Sequence, residues 1–155
     1  MKTKPLTSVF ALLGMICLVA VLQGCSPAPI CGVTDYFVTK PDDTNDGVCD
    51  ADCSLREAVI NANACAGHQT IHLPADGYTL TLVGSGEDAA ATGDLDITDD
   101  VTIVGTGVPS VHGFNSDRVF EVFSPADVVM DHIMVIDGEE QLGAGIYNHS
   151  KLTLY

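Results

Sequence analysis

Six lysines and arginines stand against 21 aspartates and glutamates in 155 residues, a formal net charge of −15. A surface this acidic repels nucleic acid and anionic lipid headgroups, because phosphate binding needs clustered Lys and Arg; it attracts divalent cations or cationic partners. The length suits one domain and is short for two.

The chain opens with Lys2 and Lys4, followed by an apolar run from Val9 to Leu22 that ends in Leu22-Gln23-Gly24-Cys25. The run is short for a bilayer span and suits an export signal. Its Leu-Gln-Gly-Cys end resembles the bacterial lipobox, which predicts a lipoprotein signal peptide over 1–24 and lipidation of Cys25 as the new N-terminus. Ser26 after that cysteine resembles an outer-membrane sorting signal. Residues 25–34, with Ser26-Pro27-Ala28-Pro29, read as an extended tether. Once Lys2 and Lys4 are removed, four cationic side chains face the 21 acids, a balance of −17. Cys17 leaves with the signal peptide. Cys31, Cys49, Cys53 and Cys65 then remain in an exported, oxidising setting, where disulfides are the default. Four cysteines allow three pairings and the sequence does not choose among them; Cys49–Cys53 with Cys31–Cys65 is favoured. A zinc site would want a CxxC pair, which is missing.

Asp35 to Thr39 is a β-prone run. In the loop after it, Asp42, Thr44, Asp46 and Gly47 fit the first half of a calcium loop, whose alternate oxygens converge on one ion while the glycine allows the sharp turn. The bidentate glutamate of an EF-hand is replaced by Cys53, so the competing reading is a turn whose Asp and Asn side chains serve their own backbone. Ser54-Leu55-Arg56-Glu57 is a capping box and predicts a helix over about 54–65. Leu55, Ala58, Val59 and Ala62 form its apolar stripe, leaving Arg56, Asn61 and Asn63 on the other face; Gly67 ends it. Capping accounts for Glu57 without any catalytic role.

The segment 70–82 reads as strand, turn at Pro74 to Gly77, strand, and 83–92 as a small acidic loop. The chain then repeats. The segments at 93–98, 118–123 and 144–150 form one strand series, and those at 101–105, 128–138 and 152–155 a second, both at a period of about 25 residues. Two series at one period predict a solenoid of stacked β coils: mainly β, a right-handed parallel β-helix with one short capping α-helix. Such a stack has an open end with unpaired backbone and exposed core, which an amphipathic helix laid across it would cover.

The stretch "DGVCDADCSLREAVINANA", with "TIHLPADGYTLT", "GDLDIT", "VTIVGTG", "RVFEV" and "GAGIYN" after it, resembles the CSLREA-domain family. The likeness runs from about Tyr36 to Tyr155 and contains the six-letter core unchanged. It implies a cap region over 35–92 at the N-terminus of an exported, pectate-lyase-like parallel β-helix whose first coils are 93–155. It also implies a surface or adhesin-like role, with a glycan or a surface protein as partner and the cell envelope, outer membrane or cell surface, as location. A lipobox departs from the plain signal peptide expected of a secreted member. Because Tyr155 falls inside a strand after roughly two and a half coils, where solenoids usually have three or more, the chain reads as the front of a longer protein.

The competing function is a polysaccharide lyase or hydrolase of the same architecture. Asp94 and Asp96 alternate on one strand and could act as an acid/base pair or hold calcium. A working site would need partners from neighbouring coils; Glu121 and Arg118 are the nearest in kind. Against this, both aspartates read as turn residues beside a glycine. The five histidines show no i,i+4 pair and no HExxH motif, so structural or exposed roles are expected of them. Met130 and Met134 are expected in the core. No phosphate loop, nucleophile elbow or nucleotide fingerprint is present.

Overall fold

A computed structural model describes residues 28–115 and 117–155. The expected signal peptide 1–24 and the lipidation candidate Cys25 lie outside the described residues. Among the described residues, no helix is long and apolar enough to cross a membrane.

The described residues are mainly β, with parallel sheets and one helix. The strands in chain order are β1 (Asp35–Phe37), β2 (Gln69–Leu73), β3 (Gly77–Thr79), β4 (Leu95–Ile97), β5 (Val101–Gly105) and β6 (Ser110–His112). They continue as β7 (Phe120–Val122), β8 (Asp127–Asp131), β9 (Met134–Ile136), β10 (Ile146–Asn148) and β11 (Lys151–Leu154). Helix α1 (Leu55–Ala64) lies between β1 and β2. Three sheets form, in the orders β1-β2-β5-β8-β11, β10-β7-β4 and β3-β6-β9. Every pairing is parallel.

Register explains the core. Ile71 pairs with Ile103 and Ile103 with Met130, while Val101 pairs with Val128 and Val128 with Leu152. Leu95 pairs with Phe120, which pairs with Ile146. Successive passes of the chain thus set like residues over like, and these side chains meet in one apolar cluster with Tyr78 and Val111. The alternating strand pattern makes this possible, because positions two apart face the same side.

Three sheets replace the two strand series expected. The run 128–138 is not one strand: His132, at φ +55, turns the chain so that β8 and β9 join different sheets. Gly77–Thr79, Ser110–His112 and Met134–Ile136 form the additional sheet. Met134 is 48% exposed rather than core, since it lies on the outer side of its strand; Met130 is buried as expected.

Helix α1 begins as the capping box requires. The Ser54 hydroxyl accepts from the Glu57 N–H at 3.1 Å, and a Glu57 carboxylate oxygen accepts from the Ser54 N–H at 2.8 Å. The Ser54 hydroxyl also donates to the Thr44 carbonyl. The helix packs against β2 and β4, and its other face is largely covered as well. Arg56 and Asn61 are fully buried, because loop segments cover that face and supply polar partners to both. Asn61 donates to the Gly47 carbonyl and accepts from the Ile30 N–H. Disulfides Cys31–Cys65 and Cys49–Cys53 close the same region, in the favoured pairing.

Candidate functional site

Two buried polar clusters meet at Asp94, which joins β4 to the loop beneath α1. The first centres on Arg56. Its Nε and Nη2 donate to the two carboxylate oxygens of Asp43, at 2.6 and 3.1 Å. Nη1 donates to the carbonyls of Ala90 and Asp94, and Nη2 also to that of Gly93 at 2.8 Å. Five hydrogen bonds therefore match the five N–H donors of a guanidinium in number, which is what lets a permanent charge sit at 0% exposure. Gly93 makes this geometry possible: at φ +64, an added Cβ would lie 2.6 Å from the Gly84 carbonyl oxygen and 2.8 Å from an Asp117 carboxylate oxygen.

Asn63 performs a related service one turn further along the helix. Its amide donates to the Asp96 carbonyl at 2.6 Å and accepts from the Thr98 N–H at 2.9 Å. β4 is the edge of its sheet. The Asn63 amide therefore occupies hydrogen-bonding positions that a further parallel strand would otherwise fill.

The second cluster lies on β4 and β7. Asp96 and Glu121 are register partners. One carboxylate oxygen from each of Asp94, Asp96 and Glu121 lies within 4.8 Å of the other two. Exposure is 3%, 0% and 8% respectively. Asp96 Oδ2 accepts from the Ala90 N–H at 2.8 Å, whereas Asp96 Oδ1 and Asp94 Oδ2 have no hydrogen-bond partner among the described residues. Arg118 supplies cationic charge. Its Nη1 grips Glu121 Oε2 and lies 3.7 Å from Asp94 Oδ2, and its guanidinium stands over the Tyr147 ring at 5.0 Å. Just after β10, His149 Nε2 pairs with Glu121 Oε1 at 3.1 Å.

Burial dominates the electrostatics of this group. It pushes the Asp94 carboxyl up to about 6, helped by the charge of Asp117 and opposed by Arg118. It pushes Asp96 up to about 7; the Ala90 N–H opposes that shift, and Asp94, Glu87 and Asp88 add to it.

Asp94 sits in the bend beside Gly93, as its turn reading expects, and is buried there, whereas Asp96 lies within β4; the neighbouring pass brings Glu121 and Arg118 to them. His149 was not connected to them in the sequence. Only register brings it within reach, since 28 positions separate it from Glu121.

The possible calcium loop looks different. The Thr44 hydroxyl donates to Glu57 Oε1, the Asp46 N–H donates to the same oxygen, and Asp46 Oδ1 accepts from the Val48 N–H. Asp42 and Thr44 line an open cleft of about 630 Å³ together with Lys40, Asp43, Thr79 and Thr81. Among the described residues, the group of three convergent metal-ligating side chains is Asp94, Asp96 and Glu121, and neither Asp42 nor Asp46 belongs to it.

No protein-family model, curated protein or solved structure matches the chain.

Proposed function

We propose that this chain is the capped base of a right-handed parallel β-helix, exported and lipid-anchored through Cys25, with a structural or adhesin-like binding role at the cell surface. The observation that carries the reading is the complete pairing of Cys31, Cys49, Cys53 and Cys65 as disulfides around α1. Disulfides persist in oxidising compartments, and an export signal resembling a lipobox leads to one. Arg56 and Asn63 support the cap: both belong to the stretch that resembles the CSLREA domain. Arg56 ties the Asp43 carboxylate to the carbonyls of Ala90, Gly93 and Asp94, and Asn63 covers the open edge of β4.

The catalytic alternative has less support. A polysaccharide lyase or hydrolase working through Asp94 and Asp96 needs those carboxylates open to a sugar chain, and they are buried. A glycan or a surface protein fits the binding reading as partner, with calcium as a possible ligand and nucleic acid excluded by charge.

The test is metabolic labelling of the full-length protein with a fatty-acid probe, followed by membrane fractionation. The reading expects label and membrane retention, both lost on Cys25→Ala. Unlabelled, soluble wild-type protein would overturn the anchor. Turnover of acidic or neutral polysaccharides, lost on Asp94→Ala with Asp96→Ala, would replace the binding role by catalysis.

A further inference from the structure

We propose that Asp94, Asp96 and Glu121 form a buried divalent-cation site, with calcium as the fitting ion, at the junction of the cap and the first parallel strands. The first observation is geometric. Calcium–oxygen distances are about 2.3–2.6 Å, so two oxygens on one calcium stand at most about 5 Å apart. The three carboxylate oxygens lie within 4.8 Å of one another and meet that limit. Magnesium, at about 2.1 Å, would require each pair within about 4.2 Å and strict octahedral order.

The second observation is chemical. Asp94 Oδ2 and Asp96 Oδ1 are buried and have no hydrogen-bond partner among the described residues. Asp94 Oδ2 faces the Glu121 side of the cluster, because both approach the same Arg118 nitrogen. Asp96 Oδ2 is taken by Ala90, which leaves Oδ1 for the cluster. An unpaired buried carboxylate oxygen costs free energy until a proton or a cation meets it.

Charge counting points the same way. Asp94, Asp96, Glu121 and the adjacent, buried Asp117 contribute four negative charges when ionised. Arg118 offsets one, and its closest contact is already with Glu121. A doubly charged ion offsets two more, using the open oxygens of Asp94 and Asp96 and a Glu121 oxygen that it shares with Arg118 or His149. The fully hydrogen-bonded Arg56 cluster takes only the backbone carbonyl of Asp94 and does nothing for its carboxylate.

The site rests on residues distinct from the Asp42, Thr44 and Asp46 loop, and it stands whether or not Cys25 carries lipid. The test uses the full chain, stripped with EDTA and desalted, then titrated with calcium chloride by calorimetry while thermal unfolding is followed. One calcium should bind saturably and raise the melting temperature by several degrees. Asp94→Asn with Asp96→Asn should weaken binding at least tenfold, and Glu121→Gln provides a second variant should the first not fold. Asp42→Asn with Asp46→Asn should leave binding unchanged. Terbium used as a calcium substitute should show tyrosine-sensitised emission that Tyr147→Phe reduces without weakening binding, because Tyr147 is the register partner of Glu121. Absence of calcium binding, binding that survives Glu121→Gln and the double asparagine variant, or loss in the Asp42/Asp46 variant would each overturn the assignment.

Discussion

Arg56 and the Asp94–Asp96–Glu121 group are both buried, both charged, and joined through a single residue, yet they are finished differently. Around Arg56 the chain supplies acceptors for every donor: two carboxylate oxygens and three carbonyls. Around Asp96 the described residues supply one amide and leave an oxygen without a hydrogen bond. A closed cluster of the first kind holds elements in place and gains nothing from a ligand. An open cluster of the second kind is stabilised by whatever fills it, proton or metal ion, and so ties the stability of the region to conditions outside the molecule.

The sharpest way to break the comparison is to open the closed cluster. Arg56→Met removes five hydrogen bonds and strands the Asp43 carboxylate, whose side chain is 2% exposed. Loss of one partner of a buried pair costs about 3–5 kcal/mol, so the denaturant midpoint should fall far or folding should fail. Arg56→Lys should recover little, because a lysine offers three donors and no planar fork. A variant as stable as the wild type would show that the cluster is not what holds α1 and the loops over it.

Closing the open cluster should have the opposite sign. Asp96 in the folded chain binds its proton more tightly than an ordinary aspartate, with its pKa raised from 3.8 to about 7 by burial. Its contribution is therefore fully present below about pH 4 and is lost as pH rises towards 7. In EDTA, the stability of the chain should fall between pH 5 and pH 8. Asp96→Asn should flatten that slope and, above pH 7, stabilise the metal-free protein by about 1–3 kcal/mol. Asp94, Glu87 and Asp88 act on Asp96 with the same charge, add to the rise in its pKa and so enlarge the loss. Urea unfolding at the two pH values measures it; a slope unchanged by the substitution would mean other groups carry it.

Two smaller effects test the edge between the clusters. Asn63→Ala leaves the Asp96 carbonyl and the Thr98 N–H without their side-chain partner, at a cost of about 1–3 kcal/mol if water does not replace it. Hydrogen exchange at the Thr98 amide should quicken in step. Ser54→Ala removes the N-cap acceptor of α1 and should cost about 1 kcal/mol, read as a small shift in melting temperature with calcium binding intact.

Local chemistry made much of this readable in advance. Ser54 and Glu57 are three positions apart, so the start of α1 follows from two side chains and the backbone between them. Alternation in "TIHL", "VTIV" and "VVM" marks positions two apart on one face, which is enough to see strands of the five-stranded sheet. In the β3-β6-β9 sheet, β3 is legible after the turn at Pro74 to Gly77, Ser110–His112 carries too little pattern to stand out, and the left-handed turn at His132 divides what reads as one apolar run.

The polar residues show where such reading stops. A helical wheel places Arg56 and Asn61 away from the apolar stripe, and away from the stripe normally means solvent. Here it means a second buried interface, because loops distant in sequence fold over it with acceptors at the right spacing. Likewise Asp96, Glu121 and His149 are separated by many residues and meet only because parallel pairing sets β4, β7 and β10 side by side. Patterning within a few residues fixes caps, faces and strands, since those depend on neighbours along the chain. Burial and convergence of charge depend on which distant strands share a register, and no local pattern carries that information.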